Sequence, residues 1–570
     1  MSNPALATEN SMGFIARFGT DKLLQLLGLL TAALFLLFFM ILPLYAILSK
    51  SVQNKAGDFI GLSNFIEYAS TPSLLNSVTN SLFVAFVVTG IVISLALLVA
   101  YARTRSCMPF KGLIQVLLMG PIFAPSLLPA IALVYLFGNQ GVLNSWLFGE
   151  SIYGPIGIII SLSFWCFPHA LMILITALSN TDARLYESAR ALKTSGLRVF
   201  FTITLPSIKY GLISASFVVF TLVITDFGAP KVIGGQFSVL ATDIYKQVIG
   251  QQNFQMGSVV SVILLVPAML AFAVDRWVQK RQVALITARA EPLKPKPNVR
   301  KDSIMFFLCL PVLAIILGVL GMAVYASLVT FWPYNLDLSL KNYQFDVMDG
   351  GGWDAYFNSI EMASYVAVAG TLLIFSNAYL VEKVDGFKSL KTLVHLFSMV
   401  PLAVPGLVLG LAYIFFFNDP RNPFNGLYGT MAILVICTIG HYYTVCHLTA
   451  VTALKQIDKE FECVSASLKV PFYTTFVRVT VPLCLPALME IGIYLFVNAM
   501  NTVSAVVFLY SSDTTLASVA VLNMDDAGDI APAAAMGVLL MVTCILVKCC
   551  HWLISHRLIL RTQRWRTLKS

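Results

Sequence analysis

The chain has 570 residues, of which 58% are hydrophobic and only 11% are charged, with a mean hydropathy of +0.82. A soluble core of this length does not need so much apolar residue. A bilayer does, because a helix crossing the hydrocarbon takes about 20 of them. The formal net charge of +9 comes from Lys and Arg gathered in alternate loops, which follows the positive-inside pattern and argues against a nucleic-acid patch.

In chain order, residues 1–22 read as a polar segment without a cleavable signal, since the span that follows is too long for a signal h-region. A first half, 23–275, carries spans near 23–48, 78–102, 113–137, 155–178, 208–225 and 257–274. A basic linker, 276–303, follows with Pro292, Pro295 and Pro297 among Arg276, Lys280, Arg281, Arg289, Lys294, Lys296, Arg300 and Lys301. The second half, 304–556, carries spans near 304–328, 357–380, 391–417, 429–451, 484–506 and 533–555, and a basic tail, 557–570, closes the chain. The intervening loops are acidic or poor in Lys and Arg: Asp337, Asp346, Asp349 and Asp354 in one, Asp513, Asp525, Asp526 and Asp529 in another. The charge pattern places both termini and the linker in the cytoplasm.

The halves repeat one another. Leu62-Ser-Asn64-Phe65 matches Leu340-Lys-Asn342-Tyr343, and Asn80-Ser81 matches Asn358-Ser359. Pro121 and Pro125 match Pro401 and Pro405, and Thr176-Ala-Leu178 matches Thr452-Ala-Leu454. Six spans per half, entered from the same side, make a parallel repeat about an axis along the membrane normal. The fold class is an all-α polytopic membrane protein of two six-helix halves, about 12 transmembrane helices in all. The four prolines are expected to kink the third span of each half.

The repeat includes a polar segment on the basic side. Leu185-Tyr-Glu-Ser-Ala-Arg-Ala-Leu-Lys193 runs on to Thr204-Leu-Pro206, and Phe461-Glu-Cys-Val-Ser-Ala-Ser-Leu-Lys469 runs on to Thr480-Val-Pro482. Leu185, Ala189, Leu192, Gly196, Val199 and Ile203 suggest one apolar or small stripe of a helix. Small residues at Ser188, Ala189, Ala191, Ser465, Ala466 and Ser467 would let a partner approach closely. A lone copy reads equally well as an amphipathic helix lying on the headgroups. Two copies in register tilt the reading towards docking.

This segment resembles the Glu-Ala-Ala loop of ABC-importer permeases, with Glu187-Ser188-Ala189 and Ile203-Thr-Leu205-Pro206 matching and Lys193 at the family's Gly position. In the second copy Cys463-Val464-Ser465 takes the Glu-Ala-Ala positions, Glu462 sits one residue early, and Lys469 again replaces Gly. The resemblance implies the type I permease fold and a bacterial inner-membrane location. It also implies a periplasmic substrate-binding protein and two ABC ATPase subunits that receive the loop. Contacts to those ATPases would come from Glu187, Ser188, Ala189, Ala191, Lys193, Gly196, Glu462, Ser465, Ser467 and Lys469. The chain has no G-x-x-x-x-G-K-[ST] phosphate loop, so ATP hydrolysis falls to the partners. A fused two-half permease of this length resembles the ferric-iron permease group. Thr225–Gln236, Leu240–Lys246, Thr330–Asn335 and Ser518–Asp526 are similar in wording to permeases for 2-aminoethylphosphonate.

Ionisable groups inside spans invite explanation, because insertion of one costs roughly 2.5–3.5 kcal/mol. Asp226 ends the fifth span beside Thr225, and its counterpart Thr502 is flanked by Asn498 and Asn501. These residues are candidates to line a translocation path between the halves, a role that the resemblance to importers also implies. The competing reading is that Asp226 caps a helix. His169, His441 and His447 have no metal-ligand spacing and read as interhelical hydrogen-bonding residues. The ten cysteines form no Cys-x-x-Cys pair, so no metal or cofactor is expected. An ion-coupled secondary transporter would favour carboxylates near the midplane, yet only Asp226 and Glu361 approach spans, both near ends. A membrane-embedded enzyme would need a clustered nucleophile or acid pair, and none appears. Ferric iron, thiamine and polyamines are the substrate alternatives to 2-aminoethylphosphonate.

Overall fold

The computed structural model describes residues 20–283 and 293–562. The N-terminal segment up to residue 19, the linker stretch 284–292 and the tail from 563 lie outside the described residues. Among the described residues nine helices are long and apolar enough to cross a membrane, and three bent pairs bring the number to twelve. Numbered as crossings, the first half has α1 (Thr20–Ser51), α2 (Pro72–Arg105), the bent pair α3 (Lys111–Phe123 and Leu127–Phe137), α4 (Pro155–Ser179), α5 (Gly196–Thr225) and α6 (Phe254–Val283). The second has α7 (Val299–Leu328), α8 (Gly352–Glu382), the bent pairs α9 (Lys388–Ala403 and Gly406–Phe417) and α11 (Phe472–Leu483 and Leu485–Asn501), α10 (Met431–Lys455) between them, and α12 (Ile530–Thr562). The expected all-helical, two-fold repeated architecture is the observed one.

Each half keeps a compact kernel. In the first, α2 packs on α4 and α5; in the second, α8 packs on α10 and α11. The first helix of each half also crosses over: α1 lies against both limbs of α9, and α7 lies against both limbs of α3. The halves are therefore interleaved, and a relative movement of one must drag a helix of the other.

Three expected spans needed correction. Residues 113–137 and 391–417 are not kinked helices but broken ones, bent by 101° and 115°. The break falls at the residue before the second proline in each, where the proline ring disfavours helical geometry in its predecessor. Ala124, before Pro125, sits at φ −94°, ψ 137°, and Val404, before Pro405, at φ −106°, ψ 117°. The expected span 484–506 is also revised: helix stops at Asn501, and α11 bends by 77° at Cys484. Pro486 stands just past that bend, where the first half has Tyr210 and an unbroken α5.

The fifth crossing begins earlier than its apolar run suggests. Gly196 already starts α5, and a π-turn at Phe200–Thr204 precedes Leu205-Pro206; Phe476–Thr480 does the same before Val481-Pro482. A proline offers no N–H and crowds the carbonyl four residues back, and a widened turn relieves both problems.

After α5 and α11 the chain doubles back before crossing again. Short helices Gly228–Ile233 and Leu240–Tyr245 occupy this place in the first half, and Ala517–Ala527 in the second. The repeated Asn-Ser pair anchors them. Ser81 Oγ accepts the Leu240 N–H and Ser359 Oγ the Ala517 N–H, both at 2.8 Å. Asn80 donates to the Ser238 carbonyl, and Asn358 donates to the carbonyls of Asp513 and Thr515. The other repeated asparagine closes the first crossing of each half: Asn64 donates to the carbonyls of Ser51 and Gln53, Asn342 to those of Ser327 and Val329.

Candidate functional site

The two polar loops fold alike. Asp182 caps the helix Ala183–Ala191 by accepting the Arg184 N–H at 3.0 Å; the second helix is Glu460–Ser467. Both end in the same turn. Lys193 N–H donates to Arg190 O at 2.9 Å and Thr194 N–H to Ala189 O at 3.0 Å; Lys469 and Val470 repeat this on Ala466 and Ser465. This double bond pattern needs a left-handed residue after the helix, usually glycine. Lys193 and Lys469 occupy it at φ 51° and 54°. A side chain in that region costs about 1–2 kcal/mol, offset by the freer unfolded chain that glycine brings. Lys193→Gly or Lys469→Gly is therefore expected to raise stability by under about 1 kcal/mol, and valine at either position to lower it, read as thermal unfolding of the purified protein.

The turn overturns the expected single stripe. Of Leu185, Ala189, Leu192, Gly196, Val199 and Ile203, Ala189 alone is buried, while Leu185 and Leu192 are exposed. The helical period is interrupted at Lys193, so residues on either side fall on different faces. The exposed apolar residues form a repeated pattern instead: Leu185 with Phe461, Leu192 with Leu468, Leu197 with Tyr473, and Phe201 with Val477, all between 46% and 79% exposed. Glu187, Ser188, Ala191, Lys193, Gly196, Ser467 and Lys469 share the solvent side, whereas Ala189, Ser465 and Glu462 turn inward to differing degrees.

What lies beneath each loop was not read from sequence. Arg105, at the end of α2, is 5% exposed and donates to the Leu178 carbonyl at 2.9 Å, to Thr181 Oγ1 and to the Tyr186 hydroxyl at 3.2 Å. Its guanidinium also lies 4.8 Å from the centre of the Tyr186 ring, and Tyr186 in turn donates to Thr204 Oγ1 at 3.1 Å. Lys383, at the end of α8, does this work in the second half with different chemistry. It donates to the Ile457 carbonyl and pairs with Glu462 Oε1, both at 2.9 Å. Glu462 thus takes the place of Tyr186, not of Glu187; the exposed Cys463 stands where Glu187 does. Each loop is tied by one cation to the ends of two membrane helices.

Among the candidate path residues, Asp226 Oδ2 accepts the Ala229 N–H at 3.0 Å, which caps the helix Gly228–Ile233. Thr225 and Asn498 bond back to their own helices, at Thr221 O and Tyr494 O. Asn501 reaches across the halves to the Phe123 carbonyl at 3.3 Å, beside the elbow of α3. Thr502 is buried, and its carbonyl accepts Ser518 Oγ at 2.6 Å. Asp226 and Thr502 end their helices with matching backbone, φ −71° in both and ψ 135° and 130°. Among the described residues no hydrogen bond joins them.

On the face away from the loops, the halves meet through a pairing that the sequence analysis did not anticipate. Lys231 pairs with Asp526 at 2.8 Å and lies 5.3 Å over the Tyr245 ring, which stacks on Phe508 at 6.2 Å. Lys231 had a signal of its own, as one of the few basic residues in the connection after α5. Burial, reinforced by neighbouring Asp526 and eased by Lys231, pushes the Asp525 carboxyl up to about 6 from 3.8. The joined arrangement therefore holds a proton that a water-exposed Asp525 would release. Acidification to about pH 5 should favour the joined state, and the preference fades as pH rises through about 6. Pulsed-EPR distances between spin labels at Gln236 and Ser512 should shorten below that pH, and Asp525→Asn should hold them short throughout.

Two interleaved six-helix halves, each exposing a loop helix tied to its membrane kernel, define a polytopic membrane permease. The chain belongs to the family described as binding-protein-dependent transport system inner membrane component, whose model matches residues 92–283 and 370–560. It is 28% identical to the ferric transport system permease protein FbpB of Actinobacillus pleuropneumoniae, covering 96% of this chain and 82% of that one. It is 29% identical to a putative ferric transport system permease protein FbpB 1 of Haemophilus influenzae, covering 85% and 78%. The spermidine/putrescine transport system permease protein PotB of the same organism matches 42% of the chain at 26% identity, over 89% of its own length. A bacterial alginate ABC importer of known structure covers 49% of this chain and all of its own, at 16% identity and a TM-score of 0.39.

Proposed function

We propose that this chain is the complete membrane pathway of an ATP-driven importer, one copy per transporter, with both termini in the cytoplasm. The carrying observation is the pair of loops, which present the same four exposed apolar positions and the same left-handed turn. A dimer of ATPase subunits has two clefts to fill, and this chain offers two matching helices for them. Closure of the ATPases would push on both loops, and the Arg105 and Lys383 ties would carry that push into α2, α4, α8 and α10. The interleaved α1 and α7 would make the halves rock together around a central path.

Two substrates are favoured by different observations. The relatives aligned over most of the chain are named for ferric transport, which favours ferric iron. The wording of Thr225–Gln236, Leu240–Lys246, Thr330–Asn335 and Ser518–Asp526 favours 2-aminoethylphosphonate. The delivery protein decides between them. Isothermal titration of both ligands into the cognate periplasmic binding protein should give tight binding of one and none of the other. Co-purification of the permease with its ATPases tests the importer reading: reversing the apolar pattern with Leu192→Glu and Leu468→Glu should abolish the complex. A complex that survives both changes would sink the loop assignment.

A further inference from the structure

At the loop end of α2 and α7, cations from several elements gather around one carboxylate. Lys301, in the first turn of α7, holds its Nζ 5.8 Å over the Tyr101 ring of α2. Arg105, one turn further along α2, and Arg190, in the first loop helix, lie within electrostatic reach of Lys301. Lys111, which opens α3, lies within the same reach of Asp302. That carboxylate is taken up by backbone: Oδ1 accepts the Cys107 N–H at 2.8 Å and Oδ2 the Asn298 N–H at 3.0 Å. Among the described residues, Lys111, Arg190 and Lys301 belong to no ion pair. The Tyr101 ring meets Phe200 edge-on at 5.7 Å, giving the corner an aromatic floor. Ile304 and Leu308 follow Lys301 by three and seven residues on its side of α7, and they are 47% and 44% exposed.

The second half does not repeat this set. Arg190 is matched by Ala466, and Lys301 by residues 23–25 of α1, Leu-Leu-Gln, which bear no charge. Tyr379, the match of Tyr101, donates to the Phe472 carbonyl at 3.5 Å, whereas the Tyr101 hydroxyl makes no hydrogen bond among the described residues. Lys111 does have a charged match in Lys388, each following a left-handed phenylalanine, Phe110 or Phe387. Carboxylates answer the cations around Lys388: Glu382 pairs with Lys455 and Glu462 with Lys383.

We propose that this corner of the first half holds the phosphate of an anionic phospholipid, with an acyl chain lying along α7 over Ile304 and Leu308. Cations gathered without counter-charge repel one another. A phosphodiester offsets that repulsion and accepts hydrogen bonds from Lys301, Arg190 and the Tyr101 hydroxyl. Long Lys and Arg stems reach the headgroup level while their methylenes stay on apolar surface. The exposed apolar face of α7 selects a lipid over inorganic phosphate, which has nothing to bury there. A zwitterionic headgroup would bring its own cation into a site already rich in them. Lys301 belongs to the second half and Arg190 to the loop helix of the first, so the bound lipid bridges the halves at one loop only. The assignment goes beyond the importer reading and does not depend on the substrate.

The test uses the purified full chain and native mass spectrometry from micelles supplemented with phosphatidylglycerol or phosphatidylcholine. One phosphatidylglycerol should stay bound, and phosphatidylcholine should not displace it. Near a membrane surface each basic residue contributes about 1 kcal/mol towards an anionic lipid, or about fivefold in affinity. Arg190→Gln and Lys301→Gln should therefore each weaken phosphatidylglycerol binding about fivefold, and together about thirtyfold. Lys301→Arg, which keeps the charge, should stay within about twofold of wild type and shows that the site tolerates substitution. Lys388→Gln, the change at the mirror position of Lys111, should also stay within about twofold. Equal retention of the two lipids would overturn the proposal, as would a double variant within about twofold of wild type. Binding of inorganic phosphate with no phospholipid retained would overturn it in favour of a soluble anion.

Discussion

Lys383→Met is expected to cut transport by at least about tenfold while leaving the ATPase subunits bound. Lys383 is almost fully buried, with 5% of its side chain exposed, against 22% for Glu462. Removing one partner of a buried pair costs about 3–5 kcal/mol, and the partial exposure of Glu462 discounts that to about 2 kcal/mol. The loss falls on the tie between the loop and α8, not on the exposed residues that would meet the ATPase. Energy from nucleotide closure would then move a loosened loop without moving the membrane helices. ATP hydrolysis should persist, and substrate movement in proteoliposomes should not follow it. Arg105→Met is expected to act the same way in the first half, because it removes the one donor shared by the Leu178 carbonyl, Thr181 and Tyr186. The two halves offer a control on mechanism. Lys383→Arg combined with Glu462→Tyr rebuilds the chemistry of the first half in the second, and should restore more transport than either change alone. Full transport by Lys383→Met, or loss of ATPase binding with it, would show that the tie is not the transmitting element.

Much of this architecture was legible in the sequence because a bilayer demands long apolar runs and a repeat doubles every signal. The polar loops, the repeated asparagines and the prolines all stood out at fixed spacing. What each of them does was not legible, since the partners are remote: Asn80 and Ser81 bond to residues 158 and 159 positions away. The breaks in α3 and α9 depended on the geometry of one residue before a proline, which looks like a kink when only the proline is counted. Glu462 was misplaced on the loop surface for a similar reason. A carboxylate in a polar loop reads as exposed until the cation beneath it, 79 residues earlier in the chain at Lys383, is brought against it.

Gly228→Ser should destabilise the protein, and Ser126→Gly in the same chain should restore most of the loss. A side-chain carbon at Gly228 would come within 2.4 Å of Ser126 Oγ and 3.2 Å of Leu127 Cγ. Gly228 follows the end of α5, and Ser126 stands at the elbow of α3, so this contact joins the broken third crossing to the fifth. In the second half the partners have changed places. Gly406, the counterpart of Ser126, faces Ser504, the counterpart of Gly228, and a carbon at Gly406 would come within 2.4 Å of Ser504 Oγ. One small and one hydroxyl-bearing residue satisfy each contact, in either order. Overpacking of a filled site costs about 1–3 kcal/mol, and the Ser126→Gly change relieves it by removing the hydroxyl that the new side chain would meet. The double variant should therefore unfold closer to wild type than Gly228→Ser alone, with a coupling of about 1 kcal/mol or more in a double-mutant cycle. Gly406→Ser with Ser504→Gly should recover less, because the Ala505 backbone nitrogen stands 3.1 Å from the same carbon and does not move with the side chain. Strict additivity in the first-half cycle would mean that the elbow and the end of α5 are not in firm contact. A large coupling would mean that neither can shift alone, so a loop pushing on α5 must also move the elbow of α3.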